Sequence, residues 1–203
     1  MSPFSLIALI ALVSLVAVGL ATRSRSVQRL DDRLETWTIT HRHRLHDIAS
    51  VATLPGEWFV HPVIAAVTAV TLLFTRGGPP LRILLPLASA SLGGIIVHHL
   101  VKFAYHRHRP TGALERDKTE AAFPSGHTTN ATAVLATSAF MLVREGVLPV
   151  SVALTSVVVI AGLTGASRVA LGWHWGTDVL GGWLAGLGVA GLACQLFETL
   201  RLG

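Results

Sequence analysis

Charged residues are scarce in this sequence. Asp, Glu, Lys and Arg make up 13% of its 203 residues, against roughly 25% in a typical soluble domain. Hydrophobic residues make up 51%, and the mean hydropathy is +0.60. This balance argues against a soluble globular protein, and several apolar runs approach the ~20 residues that cross a bilayer. The sequence therefore predicts an integral membrane protein.

Cysteine is nearly absent as well. The single cysteine, Cys194, lies in an apolar run and has no second cysteine with which to form an intrachain disulfide. It therefore does not indicate a redox compartment. His41, His43 and His46 are closely spaced, but they have no carboxylate or cysteine partner in register, so we predict no metal site there.

The few charges that remain are mostly basic. The formal net charge is +5, and the sequence pI is about 10.6. Such a chain suits anionic partners, here lipid headgroups or a phosphate substrate. We expect no nucleic-acid partner, because the sequence has no nucleic-acid-binding module and little polar surface. The oligomeric state stays open.

Six apolar runs are candidate transmembrane helices, at residues 4–22, 58–74, 83–101, 128–143, 147–166 and 179–197. We interpret the first as a retained helix and not a signal peptide, because nothing basic precedes it. Small residues in the third run and glycines along the last favour close helix packing. With no repeat and no dividing linker, we predict one all-α domain, residues 1–203, with six transmembrane helices in one bundle.

Residues 23–56 have a different character. Leu30, Leu34 and Trp37 fall near helical spacing among charged residues. That pattern predicts an amphipathic helix lying on the membrane surface, with a solvated connector as the alternative. The segment closes on Leu54-Pro55-Gly56, which is a turn signal.

Three polar clusters stand beside the apolar runs. The first holds Lys102 and Arg109, the second is residues 123–127 (Phe-Pro-Ser-Gly-His), and the third extends from Ser167 to Asp178. The first follows the third run and the second precedes the fourth run, so both lie on one side of the membrane. Runs four and five cross the membrane and return, which brings the third cluster to the same face.

The residue types in these clusters suit a phosphate group. Lys102, Arg109 and Arg168 are three cations at the membrane edge, where ionisable groups usually face a functional cavity. Guanidinium groups fit phosphate oxygens in two-pronged fashion. Ser125 and Gly126 open a helix, whose free N–H groups form an anion site.

Two histidines supply the acid–base chemistry. One of His127 and His174 can attack or accept a proton while the other donates one. Asp178 follows His174 by four residues, so in a helix the two side chains share a face. A carboxylate placed there can orient the imidazole. Such a set can transfer a phosphoryl group through a phosphohistidine and requires neither a metal nor a cofactor.

These clusters resemble the three signature motifs of the type 2 phosphatidic acid phosphatase family, which includes vanadium haloperoxidases. The matching patterns are Lys102-x6-Arg109-Pro110, Pro124-Ser125-Gly126-His127 and Ser167-Arg168-x5-His174-x3-Asp178. Every specified position is present and in order. The motif core covers about residues 98–182, and the six-span layout extends the resemblance over most of the chain.

The resemblance implies a role for each of these residues. His174 would be the nucleophile, Asp178 would orient it, and His127 would protonate the leaving oxygen. The phosphate would be bound by Lys102, Arg109, Ser125, Gly126 and Arg168. For Arg107, two interpretations stay open: binding a second phosphate or headgroup, or an exposed loop cation. Small family members of this kind dephosphorylate membrane lipids.

The first-choice substrate is a polyprenyl diphosphate such as undecaprenyl diphosphate. Phosphatidylglycerol phosphate and phosphatidic acid are the alternatives. Vanadate-dependent halide oxidation is disfavoured because the haloperoxidases resemble large soluble proteins. A non-catalytic lipid-binding or transport protein is disfavoured because His174 and Asp178 are both present.

The resemblance also implies a location. The family's active site usually faces away from the cytoplasm, which predicts a plasma-membrane protein with an extracytoplasmic site. The positive-inside rule points the other way. Six arginines lie between residues 23 and 44 on the predicted outer face, whereas the inner face holds only Arg76, Arg82, Arg144 and Arg201.

Overall fold

The computed structural model describes residues 2–111 and 121–202, and regular structure in these ranges is entirely helical. The predicted all-α class is therefore confirmed. The elements, in chain order, are α1 (Pro3–Ala21), α2 (Arg25–Ala52), a 3₁₀ turn (Leu54–Gly56), α3 (Val60–Arg76), α4 (Pro80–Tyr105), α5 (Gly126–Arg144), α6 (Val150–Ala170) and α7 (Gly176–Leu202). The charged residues at 115–118 and 120 lie outside the described ranges.

The predicted count of six spans is not confirmed. Within the described ranges, α1, α4, α6 and α7 are long and apolar enough to cross a membrane. The apolar helix α3 has only 17 residues. α5 has 19 residues but carries buried Thr, Asn and Ser side chains. It packs against α3, α4, α6 and α7, and a helix surrounded by protein needs less apolar surface than one that faces lipid.

Large apolar side chains on the outer helices face outward. Among them, Val13 on α1 is 60% exposed, Phe74 on α3 is 87% exposed, Leu100 on α4 is 65% exposed and Val158 on α6 is 71% exposed. An apolar surface this extensive marks contact with lipid in a chain of this composition. The protein is an integral membrane protein.

Helices α5 and α7 form the centre of the bundle, where small residues permit a close approach. A Cβ atom on Gly182 would lie 2.7 Å from the Cβ of Thr128 and 2.9 Å from the carbonyl oxygen of Ser125. Any side chain at position 182 would therefore push the two helices apart. This contact fixes the first turn of α5 against the first turns of α7.

Helix α2 confirms the prediction of a helix after the first span, but its inward face is not the apolar one. Leu30 and Trp37 are 63% and 51% exposed, whereas Asp31 and Thr38 are 3% exposed. The polar side turns inward because Asp31 pairs with Arg107. The outward apolar side chains suit a membrane surface, and the placement of α2 on that surface stays a prediction.

The chain reversals bring several helix ends to one end of the bundle. α4 and α6 finish there, α5 and α7 begin there, and the connector between α2 and α3 packs against α5 and α6. The three polar clusters of the sequence lie at these helix ends.

Candidate active site

A cavity of about 670 Å³ opens at this end of the bundle. That volume suits a small ligand or a lipid headgroup. Six of the eight predicted site residues line it: Lys102, Arg109, Gly126, His127, Arg168 and His174. Residues separated by up to 72 positions in sequence therefore face one space, as the alternating crossings predicted.

The N-terminus of α5 forms one wall. Gly126 and His127 begin the helix and face the cavity. Ser125 occupies the N-cap position, but its side chain makes no capping hydrogen bond. Its Oγ accepts a hydrogen bond from the Thr128 hydroxyl at 3.0 Å, and its backbone N–H donates to the Asp178 carbonyl at 2.9 Å. Ser125 is fully buried behind the wall, so its predicted contact with phosphate stays a prediction.

The arginines are held by the loop between α6 and α7 and by the α2–α3 connector. Arg109 donates to the carbonyl oxygen of Trp173 at 3.0 Å. Arg168, which is 3% exposed, donates to the hydroxyl of Thr53 at 2.9 Å. Its guanidinium carbon lies 4.0 Å from the centre of the Trp173 ring, a distance typical of cation–π contact. These contacts hold two cations in the cavity wall.

His174 lies at the bottom of the α6–α7 loop with Asp178 behind it. The Nδ1 atom of His174 is 3.5 Å from Oδ2 of Asp178. This is an ion-pair distance, longer than a good hydrogen bond, and catalytic hydrogen bonds are often long until the substrate is bound. With Nδ1 on the Asp178 side of the ring, Nε2 lies on the opposite side.

The surroundings of His174 favour a neutral ring. Burial lowers its pKa well below the ordinary value of 6.5, and the positive charges of Arg168, Arg109 and Lys102 lower the pKa further. Both causes disfavour the imidazolium form. A neutral imidazole has a free lone pair, so His174 is available as a nucleophile at neutral pH.

Asp178 belongs to a buried ionic network that sequence reasoning missed. Its Oδ1 accepts from Arg107 at 2.7 Å, and its Oδ2 accepts from the backbone N–H of Trp175 at 2.9 Å. Arg107 also donates to Oδ2 of Asp31 at 2.7 Å and to the hydroxyl of Thr177 at 2.6 Å. The side chains of Asp31 and Asp178 are 3% and 0% exposed.

This network shows that one interpretation of Arg107 given above, an exposed loop cation, is wrong, because the side chain is only 14% exposed; the binding of a headgroup by Arg107 stays a prediction. The guanidinium of Arg107 does not line the cavity, because it forms ion pairs with two buried carboxylates, Asp31 and Asp178. The available signal in the sequence was Asp31, an acidic residue among the apolar positions of α2, but nothing in the chain order indicated its partner.

The sequence did not predict that the connector at residues 53–57 contacts His127. The carbonyl oxygen of His127 lies 2.6 Å from where a Cβ of Gly56 would be. Oε1 of Glu57 is 3.1 Å from Nε2 of His127. The turn signal at Leu54-Pro55-Gly56 is confirmed as a 3₁₀ turn, but its position against His127 depends on how α2 and α3 dock.

Seven further residues line the cavity beyond the predicted set and the connector: Trp58, His61, Ile95, His98, His99, Asn130 and Trp173. His98 and His99, near the end of α4, both face this space. Among the residues that the structure describes, no group of three or more His, Cys, Asp and Glu side chains is arranged to hold a metal ion.

Comparison with known proteins yields relatives over most of the chain. Phosphatidylglycerophosphatase B of Bacillus subtilis (strain 168) is 32% identical over 174 residues, which cover 82% of this chain and 83% of the relative. An undecaprenyl-diphosphatase of Sulfolobus acidocaldarius is 30% identical over 182 residues, which cover 85% of this chain and 82% of the relative.

A solved structure is also similar. It is the crystal structure of a transmembrane PAP2-type phosphatidylglycerolphosphate phosphatase from Bacillus subtilis. The TM-score is 0.82 at 28% sequence identity, and the match covers 95% of this chain and 96% of the other.

A family model described as the PAP2 superfamily matches residues 83–202. That range contains most of α4, all of α5, α6 and α7, and all eight predicted site residues. The relatives are phosphatases by name, and they align over most of their own length. The chain belongs to the PAP2 superfamily and is a type 2 phosphatidic acid phosphatase-like lipid phosphatase.

Proposed function

We propose that the protein hydrolyses a lipid phosphomonoester or diphosphate without a metal, through a phosphohistidine formed on His174. The observation that carries the proposal is the cavity itself. His174 and His127 face the same space as Lys102, Arg109 and Arg168. Two histidines provide a nucleophile and an acid, and three cations offset the charge of a phosphoryl group in transfer.

In the first step, Nε2 of His174 attacks the phosphorus atom. A phosphorus–nitrogen bond forms as the bond between phosphorus and the lipid oxygen breaks. The electron pair of that bond goes to the lipid oxygen, which takes a proton from His127. Asp178 stabilises the positive charge that develops on His174, as the carboxylate does in a catalytic triad.

In the second step, water hydrolyses the phosphohistidine. His127, now neutral, accepts a proton from the water, whose oxygen bonds to phosphorus while the phosphorus–nitrogen bond breaks. The products are inorganic phosphate and the dephosphorylated lipid, or the lipid monophosphate when the substrate is a diphosphate. His174 and His127 return to their starting protonation states.

The names of the relatives support two substrate classes. One relative is a phosphatidylglycerophosphatase and another an undecaprenyl-diphosphatase, at similar identity. Our first choice from the sequence, undecaprenyl diphosphate, and its alternatives, phosphatidylglycerol phosphate and phosphatidic acid, all present a terminal phosphate to the cavity. The substrate is therefore to be identified by comparing phosphate release from these lipids.

We further propose that α3 and α5 cross the membrane with the four longer helices, which gives six spans and one catalytic domain. The site then lies on the extracytoplasmic face of the plasma membrane, as the resemblance implies, with the arginines of α2 against anionic lipid. α7 leads away from the site, so the C-terminus is cytoplasmic. An extracytoplasmic signal from a reporter fused after Gly203 would overturn this orientation.

The catalytic proposal is tested by phosphate release in detergent with EDTA present. Wild type and His174→Ala are compared on undecaprenyl diphosphate, phosphatidylglycerol phosphate and phosphatidic acid. We expect release by wild type alone. Release that persists in His174→Ala would show that the nucleophile is misassigned. Folded wild type that releases no phosphate from any of the three lipids would refute the catalytic function and favour a lipid-binding protein.

A further inference from the structure

Glu57 is the one carboxylate among the described residues that line the cavity. The cations of the same cavity, Lys102, Arg109 and Arg168, suit an anionic substrate. A carboxylate placed among them repels a phosphate group, because like charges disfavour each other. Since Glu57 weakens phosphate binding in this position, we looked for another role, and its side-chain contact with His127 indicates one.

The backbone holds Glu57 in a fixed position. Its N–H donates to the carbonyl oxygen of Leu54 at 2.9 Å, and its own carbonyl oxygen accepts from two N–H groups in the first turn of α3 at 3.0 and 3.3 Å. The neighbouring residue, Gly56, is buried against the backbone of His127, where a side chain would not fit. The connector therefore brings the carboxylate to the first turn of α5 from a well-anchored backbone.

His127 must carry a positive charge before the first step, because it then protonates the leaving oxygen. The three cations of the cavity, Lys102, Arg109 and Arg168, all disfavour a fourth positive charge beside them. The other titratable groups that face the cavity are histidines from α3, from α4 and from the α6–α7 loop: His61, His98, His99 and His174. Among the described residues of the cavity, Glu57 is therefore the group whose charge favours the protonated ring of His127.

The two side chains are close enough for this effect. Oε1 of Glu57 lies 3.1 Å from Nε2 of His127, and the side chains are 25% and 27% exposed. An opposite charge within about 4–6 Å favours the charged form of a group. Nε2 is buried, and its contact with Glu57 falls short of hydrogen-bond alignment, as catalytic contacts often do before the substrate binds. With Nε2 on the Glu57 side, Nδ1 is the nitrogen left to meet the substrate.

We propose that Glu57 is a positioning residue that keeps a proton on Nε2 of His127 and directs Nδ1 to the leaving oxygen. The inference rests on the proposed function. In the first step, the Nδ1 proton passes to the lipid oxygen as the bond between phosphorus and that oxygen breaks, and the Nε2 proton stays beside Glu57. The neutral ring then has its lone pair on Nδ1, which accepts the proton of the attacking water in the second step.

Three variants test this role. Glu57→Gln removes the charge but keeps the shape and a hydrogen-bonding oxygen, and Glu57→Asp keeps the charge on a shorter side chain. Asp47→Asn is the matched control, because Asp47 lies 3.2 Å from a histidine, His46, on the exposed surface of α2.

The measurements are the pH dependence of kcat/KM, the separate values of kcat and KM, and thermal unfolding, all in detergent with EDTA. The substrate is whichever of undecaprenyl diphosphate, phosphatidylglycerol phosphate and phosphatidic acid the wild type hydrolyses fastest. Because each variant is compared with wild type on the same lipid, the ionisation of the lipid itself cancels.

Loss of the charge should make the protonated form of His127 less stable. The basic limb of the kcat/KM profile should therefore move to lower pH in Glu57→Gln by roughly one unit, the low end of the effect of a nearby opposite charge. On the basic side of the profile, kcat/KM should fall roughly tenfold, because one pH unit changes the protonated fraction tenfold. KM should stay unchanged or fall, because a group that repels phosphate is gone.

Glu57→Asp should recover most of the activity, and Asp47→Asn should match wild type. All three variants should melt close to wild type, because partly exposed ion pairs add little stability. A basic limb in Glu57→Gln that coincides with that of wild type would overturn the inference, and so would an equal shift in Asp47→Asn. A folded Glu57→Asp protein with the profile of Glu57→Gln would also overturn it, because the charge would then not be the cause. Folded wild type that releases no phosphate from any of the three lipids would refute the proposed function itself.

Discussion

Replacing Arg107 with Met removes the positive charge that lies between two buried carboxylates. The guanidinium donates at 2.7 Å to both Asp31 and Asp178, and its side chain is 14% exposed. Breaking a buried ion pair by deleting one partner costs roughly 3–5 kcal/mol, because the other charge stays uncompensated. Because the loss of Arg107 leaves two carboxylates, Asp31 and Asp178, without their cation, we expect Arg107→Met to destabilise the protein by about 3 kcal/mol or more.

Activity should fall for a related reason. Without Arg107, Asp178 loses the contact that holds its carboxylate behind His174, so it stabilises the developing imidazolium less well. We expect kcat to fall roughly a hundredfold, which corresponds to about 2.7 kcal/mol of barrier. KM should change little, because Arg107 does not line the cavity. The assays are phosphate release in detergent and thermal unfolding of the same samples.

Two further variants separate charge balance from positioning. The double variant Asp31→Asn/Arg107→Met removes one of the two uncompensated charges, so it should recover part of the stability but not the activity. Arg144→Met breaks an exposed pair with Glu198 at the other end of the bundle and should change stability by less than about 1 kcal/mol. An Arg107→Met protein as stable and active as Arg144→Met would show that the Arg107 network neither stabilises the protein nor holds Asp178 in place.

Two other predictions concern the electrostatics of His174 and the packing of α5 against α7. Lys102→Met removes a positive charge that lowers the pKa of His174. That pKa should rise and the acidic limb of the kcat/KM profile should move to higher pH; an unmoved limb would contradict this assignment. Gly182→Ala places a methyl group 2.7 Å from Thr128, whereas Gly162→Ala meets nothing within 4 Å. In detergent melting, the first change should destabilise by roughly 1–3 kcal/mol and the second should not; equal melting temperatures would show that α5 and α7 adjust freely.

The sequence predicted the helices because long apolar runs leave few alternatives. Its weakest point was the number of crossings, which depends on surroundings and not on composition alone. α5 carries buried Thr128, Asn130 and Thr137 on a helix packed inside the bundle. A hydropathy pattern records the polarity of such a helix but not the protein around it.

Much of the candidate site could be predicted because the alternation of crossings is a strong constraint. It placed Lys102, His127 and His174 on one face, and the structure puts all three in one cavity. The missed residues, Asp31 and Glu57 among them, come from segments whose docking depends on tertiary contacts. A carboxylate in an amphipathic pattern looks solvated until its partner, here Arg107, is known.

If His174 carries the phosphoryl group during turnover, the phosphohistidine can be trapped. A lipid radiolabelled in its terminal phosphate is mixed with detergent-purified protein in EDTA, and the reaction is stopped rapidly with alkali. We expect an alkali-stable, acid-labile label on His174 in wild type and no such label in His174→Ala. Label on another residue, or turnover in His174→Ala at the wild-type rate, would show that His174 is not the nucleophile.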